Sequence, residues 1–428
     1  MVVSNDSHVG PKLRQQLRDY CPARHLPEFD AFADQHDAAM ATAAGAIAPS
    51  GDGDAIGDFH GGHPNLAVPG HYDPHARLRD LDGDGVAAEV LFHFSQNDEP
   101  LPFVPGGFGG LGAVPQADLD LAAVGYRIYN RWLADFVSVA PQRYVGLAYL
   151  PTWDIDAAVR EAEWAAEAGL RGVNFPPPSR AGHLEYNHPA WEPFWTACER
   201  LAMPLVTHSS GAAPFDYLSG PGGLDIMIYE CGGWLARRAV WWLVHGRVFD
   251  RHPDLKLVIT EQYEGWWSST LHELDSIYLS FGAKARGASV LPRLPSEYVR
   301  ANVWMGASFP SVELLEDAHR EGYVTNVLWG SDYPHVEGTY LNWDGPSVTR
   351  TALSHALSHL PAEEALMVAG TNAVGVYGLD VTALAAVAAR IGAPTVAELT
   401  TPPVSLPEVP AQSNAFRGQA GLRPIIGA

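Results

Sequence analysis

Eight short runs of β-forming residues, separated by segments of helical periodicity, set the terms for any fold of this 428-residue chain. The runs are Val2–Ser4, Ala88–Phe94, Tyr144–Leu150, Gly172–Phe175, Leu205–Thr207, Leu257–Thr260, Val303–Gly306 and Val327–Trp329. A helix between two strands carries the chain back to the end where the first strand began, so the strands must run parallel. Eight such units predict closure into a (β/α)8 TIM barrel. An open doubly wound sheet would want a glycine-rich turn after its first strand, and Asn5-Asp6-Ser7-His8 is not one. One connecting helix is plain after Asp154. Ile155, Ala158, Val159, Ala162 and Ala166 recur at helical spacing, Asp154 can cap its start, and Gly169 can end it.

Two regions fall outside this rhythm. Residues 10–85 are rich in Gly, His, Asp and Pro and predict a long insertion after strand one, partly helical around Phe29–Ala44. A C-terminal extension, 381–428, begins with a helix-like stretch over Val381–Ile391. It continues into the proline-rich TTPPVSLPEVP, which should be extended. The catalytic barrel is therefore expected within 1–380. An extended tail of this kind suits packing along a second subunit, so a homo-oligomer is expected.

Composition narrows the partners. A formal net charge of -22 argues against nucleic acid and anionic membrane surfaces. Three cysteines without paired spacing argue against a disulfide framework or a structural zinc knot. With no basic-then-apolar leader and no run long enough to span a bilayer, a cytoplasmic protein is expected.

In a parallel barrel the chemistry lies at the C-terminal ends of the strands. Strand one ends in Asp6-Ser7-His8, whose first and third residues point to the same side of an extended chain. Strand two ends in His93, strand five in His208, strand six in Glu261 and strand eight in Asp332, with His335 just beyond. Each has an ordinary explanation as a cap, a core histidine or an ion pair, but five together point to a shared metal site. Imidazole and carboxylate donors suit zinc, manganese or iron. Six candidate ligands (Asp6, His8, His93, His208, Glu261, Asp332) exceed what one open site needs and would suit two ions. Many of the 13 Trp sit near strand ends, among them Trp266, Trp329 and Trp343, and could line a pocket. Arg14, Arg18 and Arg180 could meet an anionic group.

These residues carry a resemblance. Asp6-Ser7-His8, RLRDLDGDGVAAEVLF (77–92), PFWTACERLAMPLVTHSS (193–210) and VLWGSDYPH (327–335) resemble the amidohydrolase-related (β/α)8 family. That group includes the aminocarboxymuconate-semialdehyde and resorcylate decarboxylases. The resemblance places metal ligands on Asp6, His8, His208 and Asp332. The chain departs from the decarboxylases at Glu261, where they carry a catalytic histidine, and at His93, which they lack.

Both departures resemble a divergent branch of barrels that activate dioxygen at a non-haem di-iron centre, typified by the hydroxylase of platensimycin and platencin biosynthesis. That resemblance implies an oxidoreductase: a monooxygenase with two iron ions per chain, drawing on dioxygen and an external electron donor. Its small-molecule substrate would be a bulky apolar diterpenoid acid or coenzyme A thioester in antibiotic biosynthesis. His335, Gln96, Trp266 and Trp329 would support the ligands or the substrate. Asp332 and Glu261 are the expected catalytic residues. The alternative is a mononuclear zinc or manganese hydrolase or decarboxylase, in which Asp332 would act as base toward a metal-bound water.

Overall fold

The computed structural model describes residues 1–46, 64–104, 118–176, 184–208, 221–262, 265–280, 290–339, 347–407 and 413–416. Trp343, Arg180 and part of both the insertion and the tail lie outside the described residues. Nine parallel strands form one sheet: β1 (Val3–Ser4), β2 (His8–Val9), β3 (Ala88–His93), β4 (Tyr144–Tyr149), β5 (Gly172–Asn174), β6 (Leu205–Thr207), β7 (Leu257–Ile259), β8 (Val303–Ala307) and β9 (Val327–Trp329). β1 and β2 both pair with β3 and together make the first stave, so eight staves circle the axis. The last stave reaches the first through Asn5 N–H to Trp329 O (2.8 Å), His8 N–H to Tyr333 O (2.7 Å) and Asp332 N–H to Asp6 O (2.9 Å). The expected TIM barrel is the observed fold.

The first stave is broken by one extra residue. Ser4 pairs with Glu89 and His8 with Phe92, so four steps on the first stave oppose three on β3. Such a bulge re-aims side chains that strict alternation would point elsewhere.

Alternation along the other strands sorts two apolar layers. Val3, Val90, Phe92, Val145, Leu147, Val206, Val258 and Leu328 cluster inside the barrel. Leu91, Tyr144, Val173, Leu205, Leu257, Ile259 and Val327 join the larger cluster beneath the helices. The predicted helix after Asp154 spans Ile155–Glu167, with the Asp154 carboxylate accepting from Ala157 N–H at 3.0 Å. Within the insertion, Leu26–Ala46 and Pro74–Asp84 are helical, the latter capped by Asp73 and closed by Gly85 in the left-handed region. The tail's helix, Val381–Arg390, sets Leu384, Val387 and Ala388 against the inner cluster and closes the barrel opposite the strand ends. A second short helix, Val396–Leu399, precedes the proline-rich segment. Among the described residues no helix is long and apolar enough to cross a membrane.

Candidate metal centre at the barrel mouth

The bulge explains the first ligand pair. Val3 and Asn5 share the inner face, where Asn5 Nδ2 donates to Thr260 Oγ1 at 3.3 Å. The extra residue then turns Asp6 and His8 inward as well. His8 Nε2 lies 3.3 Å from Asp6 Oδ1 and 3.1 Å from Asp332 Oδ1. His208 Nε2 lies 3.4 Å from the same Asp6 oxygen. Gly330 makes this approach possible, because a Cβ there would stand 2.7 Å from Asp6 Cβ. Donor atoms gather in three adjoining groups: Asp6, His8 and His208; His8, Asp332 and His335; Glu261, Asp332 and Glu337.

The tautomers fix what His8 presents. Its Nδ1–H donates to the His93 carbonyl at 3.0 Å, so a neutral ring directs the Nε2 lone pair at two carboxylates. Among the described residues Asp6 Oδ1, His8 Nε2 and both Asp332 oxygens make no hydrogen bond, although all are buried. Lone pairs facing one another in a dry site repel unless a cation stands between them. The 3.1–3.4 Å separations also match donors sharing one ion through bonds of about 2.0–2.2 Å. The residues fit a divalent metal, and the arrangement is that of a metal-binding site.

The surrounding groups are tuned by charge and burial. Burial alone would raise the Asp6 carboxyl, but the His208 and His8 imidazoles outweigh it and hold it below the usual range. Asp6 Oδ2 also accepts from Ser308 Oγ. Burial, reinforced by Asp332, Asp6 and Glu337, lifts Glu261 well above an ordinary glutamate, against the pull of His208. Burial opposes protonation of His335, yet Asp332 (3.0 Å from its Nδ1) and Glu337 raise it to about 9. Its Nε2–H donates to the Phe94 carbonyl at 2.6 Å. Glu261 and Asp332 both hold left-handed backbone, φ +55° and +53°, a local strain typical of functional loops.

The site residues expected from sequence are thus mostly brought together: Asp6, His8, His208, Asp332, His335 and, at its edge, Glu261, 3.8 Å from His208 Nδ1. His93 is not among them. It follows Phe92, whose side chain faces inward, so its own ring points outward and lies edge-on to Tyr129 (5.1 Å) and Tyr149 (6.4 Å). Burial pushes that ring down to about 3. His93 reaches the cluster by its backbone carbonyl alone. Gln96 donates to the Glu337 carboxylate at 2.9 and 3.1 Å and accepts from Val336 N–H. Trp329 is buried in the layer beneath the helices, and Trp266 lies apart, under Arg237. Glu337 and Ser308 were not singled out in the sequence. Glu337 stands two residues beyond His335 and could have been found by reading that loop further.

An amidohydrolase family profile matches residues 72–379, and the chain belongs to that family. Among curated relatives, the 2-amino-3-carboxymuconate-6-semialdehyde decarboxylase of Dictyostelium discoideum is 26% identical over 62% of this chain and 68% of its own length. The gamma-resorcylate decarboxylase of Rhodococcus jostii is 27% identical over 46% of this chain. This chain spans 61% of that relative. Among solved structures, 5-carboxyvanillate decarboxylase from Sphingomonas paucimobilis superposes with a TM-score of 0.58 at 22% identity, covering 89% of this chain and 99% of that one. A dihydroxybenzoic acid decarboxylase from Polaromonas sp., holding manganese and the inhibitor 2-nitroresorcinol, gives 0.58 at 19% identity, with coverage of 88% and 97%. At these identities the structural likeness shows the fold.

The relatives overturn the oxidative expectation. They are decarboxylases, whose reaction needs neither dioxygen nor electrons. These relatives speak against the expected di-iron centre, monooxygenase activity, dioxygen, external electron donor and diterpenoid antibiotic pathway. The physical reason is that an added carboxylate and histidine near a metal do not specify oxygen chemistry. One of the two, His93, does not even direct its ring at the cluster.

Proposed function

We propose that this chain is a metal-dependent, non-oxidative enzyme that removes the carboxyl group of a small organic acid. One ion of the zinc or manganese kind would be held by Asp6, His8, His208 and Asp332. The observation that carries this reading is that buried Asp6 Oδ1, His8 Nε2 and the Asp332 oxygens converge while making no hydrogen bond among the described residues. The curated relatives support the choice of decarboxylation. When bound, the ion would act as a Lewis acid toward a substrate oxygen.

The chain's own groups would do the rest. The His93 carbonyl orients His8, and Ser308 holds Asp6 in place. His335, tethered to the Phe94 carbonyl, can hold a proton beside Asp332. Glu261 stands at the end of β7, where it can deliver a proton to the carbon that loses carbon dioxide. Asn174, which alternates with the outward Val173 and so faces the barrel axis, has an Oδ1 without a hydrogen-bond partner among the described residues, and this offers a substrate a polar contact beside the cluster. Hydrolysis is the second reading. It is favoured by Glu261 itself, since a carboxylate suits the activation of water.

The test is to load the protein with manganese or zinc and measure carbon dioxide released from 2,6-dihydroxybenzoate and 5-carboxyvanillate. About one ion per chain and release of carbon dioxide without oxygen uptake are expected, and Asp332→Asn should lose both the ion and the release. Ester or amide cleavage without decarboxylation would favour the second reading, and metal-independent activity would defeat both.

A further inference from the structure

A groove of about 960 Å³ opens between the helices Ala236–His245 and Trp267–Ser280, and none of the metal cluster's residues line it. Its walls include Trp234, Arg237, Trp241, Trp266, Glu273 and Ile277. Trp234 and Ile277 are 55% and 48% exposed, an unusual outlay of large apolar side chains on one face. Arg237 is the conspicuous member. Its Nε–H donates to Gln262 Oε1 at 2.8 Å and its guanidinium lies 4.8 Å over the Trp266 ring. Among the described residues no carboxylate lies within 4.0 Å of it, Glu273 included, and its two Nη groups make no hydrogen bond. Burial draws the group down to about 10. Trp266, itself 4% exposed, has an indole N–H without an acceptor among the described residues. In a chain of net charge -22, a partly desolvated guanidinium without a carboxylate partner among the described residues is costly unless an anion comes from outside.

We infer that this groove binds an organic anion, a carboxylate carried on an apolar ring system, with Arg237 holding the carboxylate and Trp234 and Trp241 packing the rings. Arg237 presents a planar fork suited to a carboxylate, and the indoles offer flat apolar faces of matching shape. The inference does not depend on the metal centre. It does place the groove one residue from that centre, because Gln262, which fixes Arg237, directly follows Glu261.

Two probes of one shape separate charge from apolar contact: 2-naphthoate and 2-naphthalenemethanol. Each is titrated into the full chain in the presence of a chelator, so that binding at a metal cannot contribute, and read by tryptophan quenching and calorimetry. Naphthoate is expected to bind once per chain and at least about tenfold more tightly than the alcohol. Arg237→Gln should abolish that preference while leaving the alcohol's affinity unchanged, and Trp234→Ala should weaken both. Glu273→Gln, which leaves Arg237 in place, should strengthen naphthoate binding. Equal binding of acid and alcohol, a preference that survives Arg237→Gln in a protein of unchanged melting temperature, or binding that disappears on chelation would each overturn the inference. So would self-association that blocks naphthoate and is relieved by Trp234→Ala, since a second copy of the chain would then be the occupant. Failure of decarboxylation with naphthoate binding intact would strike the metal reading alone.

Discussion

Arg77 ties the staves of the candidate metal centre to the insertion, and its removal should be costly in a calculable way. It is fully buried, with Nε and Nη2 donating to the Glu89 carboxylate at 2.5 and 2.9 Å. Nη1 donates to the carbonyls of His8 (2.6 Å) and Gly70 (3.0 Å), and Nη2 reaches Tyr333 O at 3.3 Å. Arg77→Met roughly preserves volume but leaves Glu89 charged and unpaired in a dry interior, a cost of about 3–5 kcal/mol. The His8 and Gly70 carbonyls lose donors at about 1 kcal/mol each. The expected loss is about 5–7 kcal/mol, a large part of the roughly 5–15 kcal/mol that stabilises a typical domain. Urea denaturation followed by circular dichroism reads it as a lower midpoint at unchanged slope. Arg77→Met combined with Glu89→Leu removes both charges and should recover all but about 2 kcal/mol, the share of the two carbonyls. If the double variant is no more stable than the single, the stranded charge is not the cause and the reasoning fails. A loss below about 2 kcal/mol in the single variant would refute it equally.

Four further outcomes are expected. His71, whose ring nitrogens meet Ser95 Oγ at 2.8 Å and the Asn65 carbonyl at 2.7 Å, is drawn by burial to about 4 from an ordinary 6.5. Its contribution, about 3 kcal/mol, is therefore full above pH 6.5 and lost as pH falls toward 4; the pH dependence of melting should flatten in His71→Gln, and an unchanged slope would count against it. Asp84 runs the other way, since burial raises it from 3.8 to about 6 despite hydrogen bonds from Ser347 and Thr349. Its contribution is present below 3.8 and lost as pH rises through 6, so Asp84→Asn should be more stable than the parent by up to about 3 kcal/mol at pH 8, with the gap closing toward pH 4. Gly330→Ala should keep the fold but weaken metal binding at least about tenfold, or about 1.4 kcal/mol, because the new Cβ displaces Asp6; full metal content at limiting metal would contradict this. His93→Phe should leave metal content unchanged, since its backbone carbonyl alone touches His8, and a fall in bound metal would return the ring to the ligand set.

Much of this was legible in the sequence, for a reason that also marks where legibility ended. Eight apolar runs and their caps depend on local residue chemistry, so Asp154 and the helix behind it could be read directly. Strand parity is equally legible there. With Val90 and Phe92 inside, His93 had to face the helices, where Tyr129 waits. Parity would have misled elsewhere. Asp6 follows the inward Asn5 and still faces inward because of the bulge, and Glu261 and Asp332 leave strand geometry through left-handed backbone. Neither device has a local sequence signature, because each is imposed by closure of the barrel. The Arg77–Glu89 pair and Ser308 were hidden likewise, their partners being set by tertiary contact.

Closure and metal binding are consequently one problem. The first and last staves supply Asp6, His8 and Asp332, and they are joined by the hydrogen bonds that run through these same residues: Asp332 N–H to Asp6 O, and His8 N–H to Tyr333 O. Two carboxylates with unspent oxygens at that seam push the staves apart when no cation is present, while an ion between them draws the seam shut. A metal at this point would stabilise the barrel at its closing seam, between strands of two or three residues each. The side of the barrel at β3 and β4, with six-residue strands, has no such need. Chelation should therefore increase hydrogen exchange first at Asn5, His8 and Asp332, with the amides of β4 protected as before. Uniform loosening of all eight staves would show that the ion serves the chemistry without holding the seam.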